Sequence, residues 1–580
     1  MERRLFIAIL LCFLVLYAYQ SLVVVPPPEG SAAPAPTASA PTNATAPAVA
    51  TAPEALPADA GSPAVEALVA SEVEAEIVVE TATIQAVFTN RGGRLTRWRL
   101  KDYPLVAGGP VDLVPMDVPA DQPLPFSLEV DDAALTSRLN RSLYRASTGT
   151  TGRVDATTEA RTITFEYEDS AGLRATKSFA FEPTGYIVAF SARVTQAEQV
   201  LNPAITWGPG LGDAGAAAGG GSFFTGNRTQ PPEAIYYQDG DVERVRAGSL
   251  DDEPVLVGEF RYAGVDDHYF VATALDLGAA RLEYHSLPLP GPGATTRAFV
   301  TQSIQPREAG RDLRFYLGPK QFDLLQAVDP EFVRVINFGI FGFLSIWLLG
   351  ALKWLHAFIG NWGWSIVALT ILLNLIIAPL RHKSVVSMRK MQAIQPQLKA
   401  IQEHYAGLKV TDPARQKMNT EIMALYREKG VNPASGCLPM LAMMPILLAF
   451  YSLLSQAIEL RGADFTLWIS DLSVRDPYFV TPLLMTASMF WQQRISPTTA
   501  DPTQQRIMMI MPLMFGVMFL WVPSGLVLYW FTGNLCGIAQ QYFTNWMIGP
   551  PQVAAARPPA ERRVKSAGGG RTEAASRKRS

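Results

Sequence analysis

The stretch WGWSIVALTILLNLIIAPLR, residues 362–381, is apolar and long enough to cross a bilayer, yet Thr370 and Asn374 interrupt its middle and Arg381 closes it. Polar groups at membrane depth are rare unless they face a bundle interior or a water-filled cavity. Thr370 and Asn374 are four residues apart and Arg381 follows seven later, so all three lie along one helical stripe. At about 1.5 Å rise per residue, Asn374 sits about 10 Å along the axis from Arg381. The stripe therefore starts at one membrane surface and reaches towards mid-bilayer.

Four more membrane-length apolar runs follow: Gly436 to Ile458, Tyr478 to Ile495, Ile507 to Val522 and Leu526 to Ile548. Pro439 and Pro445 interrupt the first of these. In the last, Trp530, Asn534 and Gln541 share a face, with Tyr529 adjacent, and form a second polar stripe. Backbone irregularity at this depth must also be buried or solvated. Both stripes grow more polar towards the cytoplasmic side, which favours a hydrated recess inside the membrane. The plainer alternative is that the amides tie helices together, since such bonds contribute about 0.6 to 2 kcal/mol. Methionines crowd the same spans, among them Met440, Met444, Met511 and Met514. An adaptable thioether surface suits varied partners, and a lipid-facing or core role is the ordinary reading.

Charge sets the topology. The loop from Arg381 to Lys429 carries ten Lys/Arg against four Asp/Glu, and the tail from Arg557 to Ser580 carries eight against two. Both belong inside by the positive-inside rule. Glu2-Arg3-Arg4 precedes a run of apolar residues to Val25, which reads as an uncleaved anchor (1–25) with its N-terminus inside. One crossing then places the following domain outside, and a single further crossing at 362–380 delivers the basic loop inside. Phe332 to Phe358 is apolar but would spoil this parity as a span, so 319–360 is assigned to an amphipathic helix on the outer surface. Six spans with both termini cytoplasmic result. Within the basic loop, Ser384 to Tyr405 and Asp412 to Lys429 predict a helical hairpin over 382–430.

Residues 26–72 are rich in Pro, Ala, Ser and Thr and read as an extended tether. From 73 to 318 short alternating strands appear, as in Ile84 to Phe88, Thr162 to Tyr167 and Thr176 to Phe181, with turns such as Gly92-Gly93. This predicts an antiparallel β-sandwich large enough for its own core. The whole is an α-helical polytopic membrane protein, its five-span core at 361–548 and its basic tail at 549–580.

Catalytic signatures are lacking: the sequence has no Walker loop, HExxH, GxSxG or CxxC. The three cysteines, Cys12, Cys437 and Cys536, lie in apolar runs and fit no metal spacing. His268, beside Asp266 and Asp267, is a candidate acid/base for a sugar-processing outer domain, though such a histidine is more often a satisfied surface residue. A net charge of −3 over 580 residues offers no argument for nucleic acid.

The segments Asn432 to Pro439, Met444-Pro445-Ile446, Phe465 to Leu472, Ser496-Pro497-Thr498 and Pro523 to Trp530 closely resemble the YidC/Oxa/Alb membrane protein insertases. The outer domain looks like the Gram-negative form, whose periplasmic domain is a β-supersandwich, through segments such as Asn90-Arg91-Gly92-Gly93. The resemblance implies a protein without cofactors that inserts nascent membrane proteins into the phospholipid bilayer, alone or with the Sec translocon. A hydrophilic groove would take the client's polar segment, and the resemblance puts Thr370, Asn374, Arg381, Tyr529, Trp530, Asn534 and Gln541 there. A hydrophobic slide along the third and fifth spans would carry Met440, Met444, Pro445, Met511 and Met514. The hairpin and tail would engage ribosomes or targeting factors. In one departure, Asn374 stands where bacterial members usually have a groove arginine, five residues before Pro379. Two other functions stay open on the residues alone: a solute transporter, which predicts internal repeats, and a sugar-processing periplasmic domain on an anchor.

Overall fold

The computed structural model describes residues 66–549, except 105–107, 116–121, 149–151, 213–231, 253–254, 291–295, 406–413, 432–437 and 497–501. The expected anchor, most of the tether and the basic tail lie outside the described residues. The chain forms two compact units: one takes the sequence to Leu369 with Leu447–Met485 and Met514–Trp530, the other Thr370–Ile446, Thr486–Leu513 and residues from Phe531 on.

The first unit contains two β-sheets. The larger has 14 strands, ordered along its main path from Ala67–Val69 through Arg161–Asp169, Leu173–Phe181, Ile187–Gln196, Leu313–Pro319, Phe270–Pro290, Val255–Asp266 and Glu233–Gln238 to Asp241–Arg246. The smaller has five: Pro110–Asp112, Arg94–Pro104, Ile84–Thr89, Glu76–Glu80 and Arg153–Asp155. All pairings are antiparallel except Glu76–Glu80 with Arg153–Asp155. The strand Ala67–Val69 pairs with Asp169 and Glu168, so ordered structure begins inside the segment read as tether. Backbone pairing there supplies what its composition does not.

Side-chain alternation drives the two sheets together. Along Leu173–Phe181 the odd positions Leu173, Ala175, Lys177, Phe179 and Phe181 are buried, as period-two geometry requires. Phe88 of the small sheet meets Phe179 and Phe165 of the large one, with ring centroids 4.6 and 6.0 Å apart. Lys177 is the exception in this apolar row. Its ammonium donates to the carbonyls of Gly92 (2.6 Å) and Phe126 (2.7 Å), and burial pushes its pKa well down. Gly92 adopts φ +73°, and a Cβ there would stand 2.7 Å from the Asn140 carbonyl, so the Gly92-Gly93 turn cannot carry side chains cheaply.

Nine helices punctuate the described residues. Helix α1 (Ala133–Arg141) is capped by Asp132, whose carboxylate accepts from Ala134 and Leu135. Helix α2 (Phe322–Val328) and a 3₁₀ turn (Phe332–Val335) leave the β domain, and α3 (Gly342–Ile359) follows. The segment 319–360 is thus two helices and a turn instead of one helix. Helix α4 (Trp362–His404) runs 43 residues through Pro379 and Pro396. The sequence reading divided this length near Arg381 into a span and a hairpin arm. A proline removes one backbone bond to the fourth preceding carbonyl, and neighbouring helices satisfy what it frees.

Helix α5 is Ala414–Glu428, α6 Leu438–Gln456, α7 Val480–Ile495, α8 Pro502–Met518 and α9 Ser524–Ile548. Among the described residues, α3 and α4 are long and apolar enough to cross a membrane, and Met443–Gln456 and Met508–Trp521 are shorter apolar stretches. Helix α3 buries Ser345, Leu348, Leu349 and Leu352 while exposing Phe343, Trp347, Trp354 and Phe358. Its exposed face is apolar and aromatic. Lys353 ties it to Asp323 (2.8 Å) and Glu459 (2.9 Å).

Candidate functional site

The polar stripe of α4 is a connected set of hydrogen bonds inside the second unit. Asn374 donates from Nδ2 to the Thr370 carbonyl at 2.7 Å, and its Oδ1 accepts from Arg381 at 2.9 Å. Thr370 is fully buried and Asn374 nearly so. Arg381 also reaches Met443 of α6, with Nη2 3.5 Å from the sulfur.

The Arg381 side chain does not stay at the level of its own backbone. Helical Cα–Cβ bonds tilt towards the N-terminus, so a long side chain at 381 covers the turns before its own Cα. The guanidinium reaches back along the helix to the Asn374 amide. The chain thus brings a cation to Asn374.

Helix α9 adds the second stripe. Asn534 donates to Ser488 Oγ of α7 at 3.1 Å. Gly537, one turn later, has no side chain: a Cβ there would be 2.4 Å from Gln492 Nε2 and 3.6 Å from Arg381 Nη1. The guanidinium of α4, the amide of α7 and the bare backbone of α9 therefore meet at one point. Gln541 bonds along its own helix to Asn545 at 2.9 Å, while Gln540 donates to the Ala378 carbonyl at 2.7 Å. Towards the loop side, His382 lies 3.4 Å from Thr544, and Arg389 bonds Asn545 and the Gly549 carbonyl. Helices α4 to 395, α6, α7, α8 and α9 contain no Asp or Glu.

Tyr529 and Trp530 belong to the first unit and are packed there. Tyr529 stacks on Phe450 with centroids 4.3 Å apart, and Trp530 meets Phe519 at 5.0 Å. The structure thus joins Thr370, Asn374 and Arg381 directly, brings Gly537 beside Arg381 and Asn534 beside Ser488, and packs Tyr529 on Phe450 and Trp530 on Phe519. Ser488, Gln492 and Gly537 went unread in the sequence, and Met443 was read only as one of the crowded methionines. Ser488 and Gln492 are four residues apart, the spacing that exposed Thr370 and Asn374, and that signal was available.

The methionine surface is exposed where it is described. Met444, Met511 and Met514 are about half accessible, with Ile510 and Leu513 beside them, and Pro445 is half-buried. The side chain of Met440 lies outside the described residues. Burial, with Lys320 nearby, pushes the pKa of His268 down to about 4, and the ring bonds the Ser455 backbone. Among the described residues no cluster of His, Cys, Asp and Glu could hold a metal ion.

Comparison with known proteins places these features. Residues 354–550 match the family described as 60Kd inner membrane protein, and residues 76–350 match the YidC periplasmic domain. A membrane protein insertase YidC of Geobacter metallireducens is 33% identical over 95% of this chain and 100% of its own length. One from Syntrophus aciditrophicus is 34% identical over 82% of this chain and 86% of its own. A crystal structure of an active YidC insertase covers 83% of this chain and 95% of that one at 20% identity, with a TM-score of 0.34. The chain belongs to the YidC family of membrane protein insertases, inner-membrane proteins with a large antiparallel periplasmic domain and a helical insertase core.

Proposed function

We propose that this chain inserts and helps fold inner-membrane proteins through a hydrophilic groove open to the cytoplasm and to lipid, alone or with the Sec translocon. The reading has six spans, both termini cytoplasmic, and α3 lying on the outer membrane surface. The observation that carries it is the Thr370–Asn374–Arg381 chain of hydrogen bonds, which holds a cation beside helices without carboxylates. Placing an arginine at membrane depth is costly unless water reaches it. A wet recess meets that condition, and it also receives a client's polar segment.

The driving force needs no nucleotide. Moving an apolar segment of about 20 residues from water to lipid is downhill by the hydrophobic effect. The slow part is taking the adjoining polar segment across, and the recess shortens the dry distance. Amide, hydroxyl and thioether partners are weak enough to exchange for client groups, and Arg381 favours acidic ones. The exposed methionines of α6 and α8 suit varied apolar client segments. The helical hairpin formed by the second half of α4 and α5, with the basic tail, would meet ribosomes or targeting factors.

A photo-crosslinker at position 370, 374 or 534 tests this during synthesis of a small two-span client. Capture of the client's polar segment is the expected product. Labelling of neighbouring helices alone would leave the amides as helix glue and remove the groove.

A further inference from the structure

At the junction of the periplasmic domain and α3 lies a cavity of about 280 Å³ that the insertion mechanism does not use. It is lined by Arg244, Arg334, Ile336, Asn337 and Phe343, among others. Two guanidinium groups stand over it. Arg244 is anchored by the carbonyls of Arg334 (2.8 Å) and Val335 (3.0 Å), and makes no ion pair among the described residues. Its Nε is buried without a hydrogen-bond partner. Arg334 is held by the Gly240 carbonyl and by Glu331, each at 2.8 Å, and half of its side chain faces solvent. The Tyr262 hydroxyl, also buried without a partner, lies within electrostatic reach of both.

Two further features point to an anion. The first turn of α3, an 18-residue helix, begins here, and Phe341 at the cap position gives it no side-chain bond. The Gly342 and Leu344 N–H groups already bond the Gly339 and Phe341 carbonyls, and the positive dipole end of the helix favours negative charge. Immediately beside the cavity, Ile340 is 94% exposed, Phe343 76% and Trp347 61%. Apolar and aromatic side chains so exposed, next to arginines, suit a membrane interface and not open water.

We infer that this cavity binds the phosphate of an anionic phospholipid of the outer leaflet, with the acyl chains against Ile340, Phe343 and Trp347. The inference rests on the placement of α3 at that membrane surface. Nearby carboxylates are already engaged: Glu331 by Arg334 and Tyr237, and Asp329 by Arg261. Glu233 is paired with Arg246 and also lies within electrostatic reach of Arg244, which itself makes no ion pair among the described residues. The contact would moor the periplasmic domain where α3 meets the bilayer.

The test uses the full chain in nanodiscs or detergent, with phosphatidylglycerol and phosphatidylcholine of identical acyl chains as probes. Native mass spectrometry should find phosphatidylglycerol retained at least about fivefold over phosphatidylcholine. Asn337→Asp is the discriminating variant, because its side chain still accepts from the Gly339 N–H while adding negative charge at the rim. It should erase the preference without unfolding the protein, and Arg334→Gln should weaken it. Equal retention of the two lipids, or a preference untouched by Asn337→Asp, overturns the site. Displacement of the lipid by free glycerol phosphate would make this a soluble-phosphate site and overturn the lipid assignment. A spin label at position 340 separates the underlying placement: a label in bulk water overturns the position of α3 and the site with it. A label at headgroup depth with equal lipid retention overturns the site alone.

Discussion

The β domain and the helical unit both bury polar groups, and they satisfy them with different chemistry. In the β domain, the Lys320 ammonium lies against Asp266 at 3.1 Å, with 1% and 0% of the two side chains exposed, and Lys177 is fixed by two carbonyls. Those partners come from distant strands and close a core. In the helical unit, Arg381 and Asn374 are bonded to each other, to a carbonyl and to a thioether. The first arrangement is a lock, because breaking it strands a charge where no water reaches. The second is a set of partners that a client's polar groups can replace at small cost.

The largest expected effect comes from breaking the lock. Asp266→Asn leaves Lys320 buried without its counter-charge and should destabilise the β domain by about 3 to 5 kcal/mol. Thermal unfolding of the full chain would show a lower transition, and an unchanged one would mean that Lys320 finds water. Arg381→Gln should leave thermal stability nearly intact while lowering insertion of an acidic-tailed client about tenfold, the effect of losing one charge-assisted bond. A neutral-tailed client should change about twofold or less. Adding Asn374→Arg should restore the acidic client, since it returns a cation to the same level of the groove. Loss of both clients together would make Arg381 structural.

His268 sharpens the contrast through pH. Its folded pKa of about 4 lies below the ordinary value of 6.5, so the unfolded state binds the proton more readily. The stability it contributes is fully present above pH 6.5 and is lost as pH falls towards 4. The loss should amount to about 1 to 3 kcal/mol, and His268→Gln should flatten that slope in an acid-unfolding series. The smallest expected effect is at the slide: Met511→Leu with Met514→Leu keeps an apolar exposed surface and should change insertion about twofold or less. A larger loss would mean that those methionines recognise specific client side chains.

Much of this was legible because periodicity survives in sequence. The alternation of Leu173 to Phe181 marks a strand buried on one face, and the spacing of Thr370 and Asn374 marks a helical stripe. Three things were not legible. The first was the strand Ala67–Val69, whose order comes from pairing with residues a hundred positions away. The second was the continuity of α4 through two prolines, which depends on neighbours. The third was where the Arg381 charge lies: only the direction of a helical side chain brings it back to Asn374. Gly537 was silent for a related reason, since a glycine matters here through what approaches it.

The most direct test of the account is water access at Asn374 and Asn534 from the cytoplasmic side. Single cysteines at these positions, in an otherwise cysteine-free full chain in sealed inverted vesicles, would be exposed to a membrane-impermeant maleimide. Labelling at both, suppressed while a client is engaged, is the predicted result. Two unreactive positions in a protein that still inserts clients would contradict the groove.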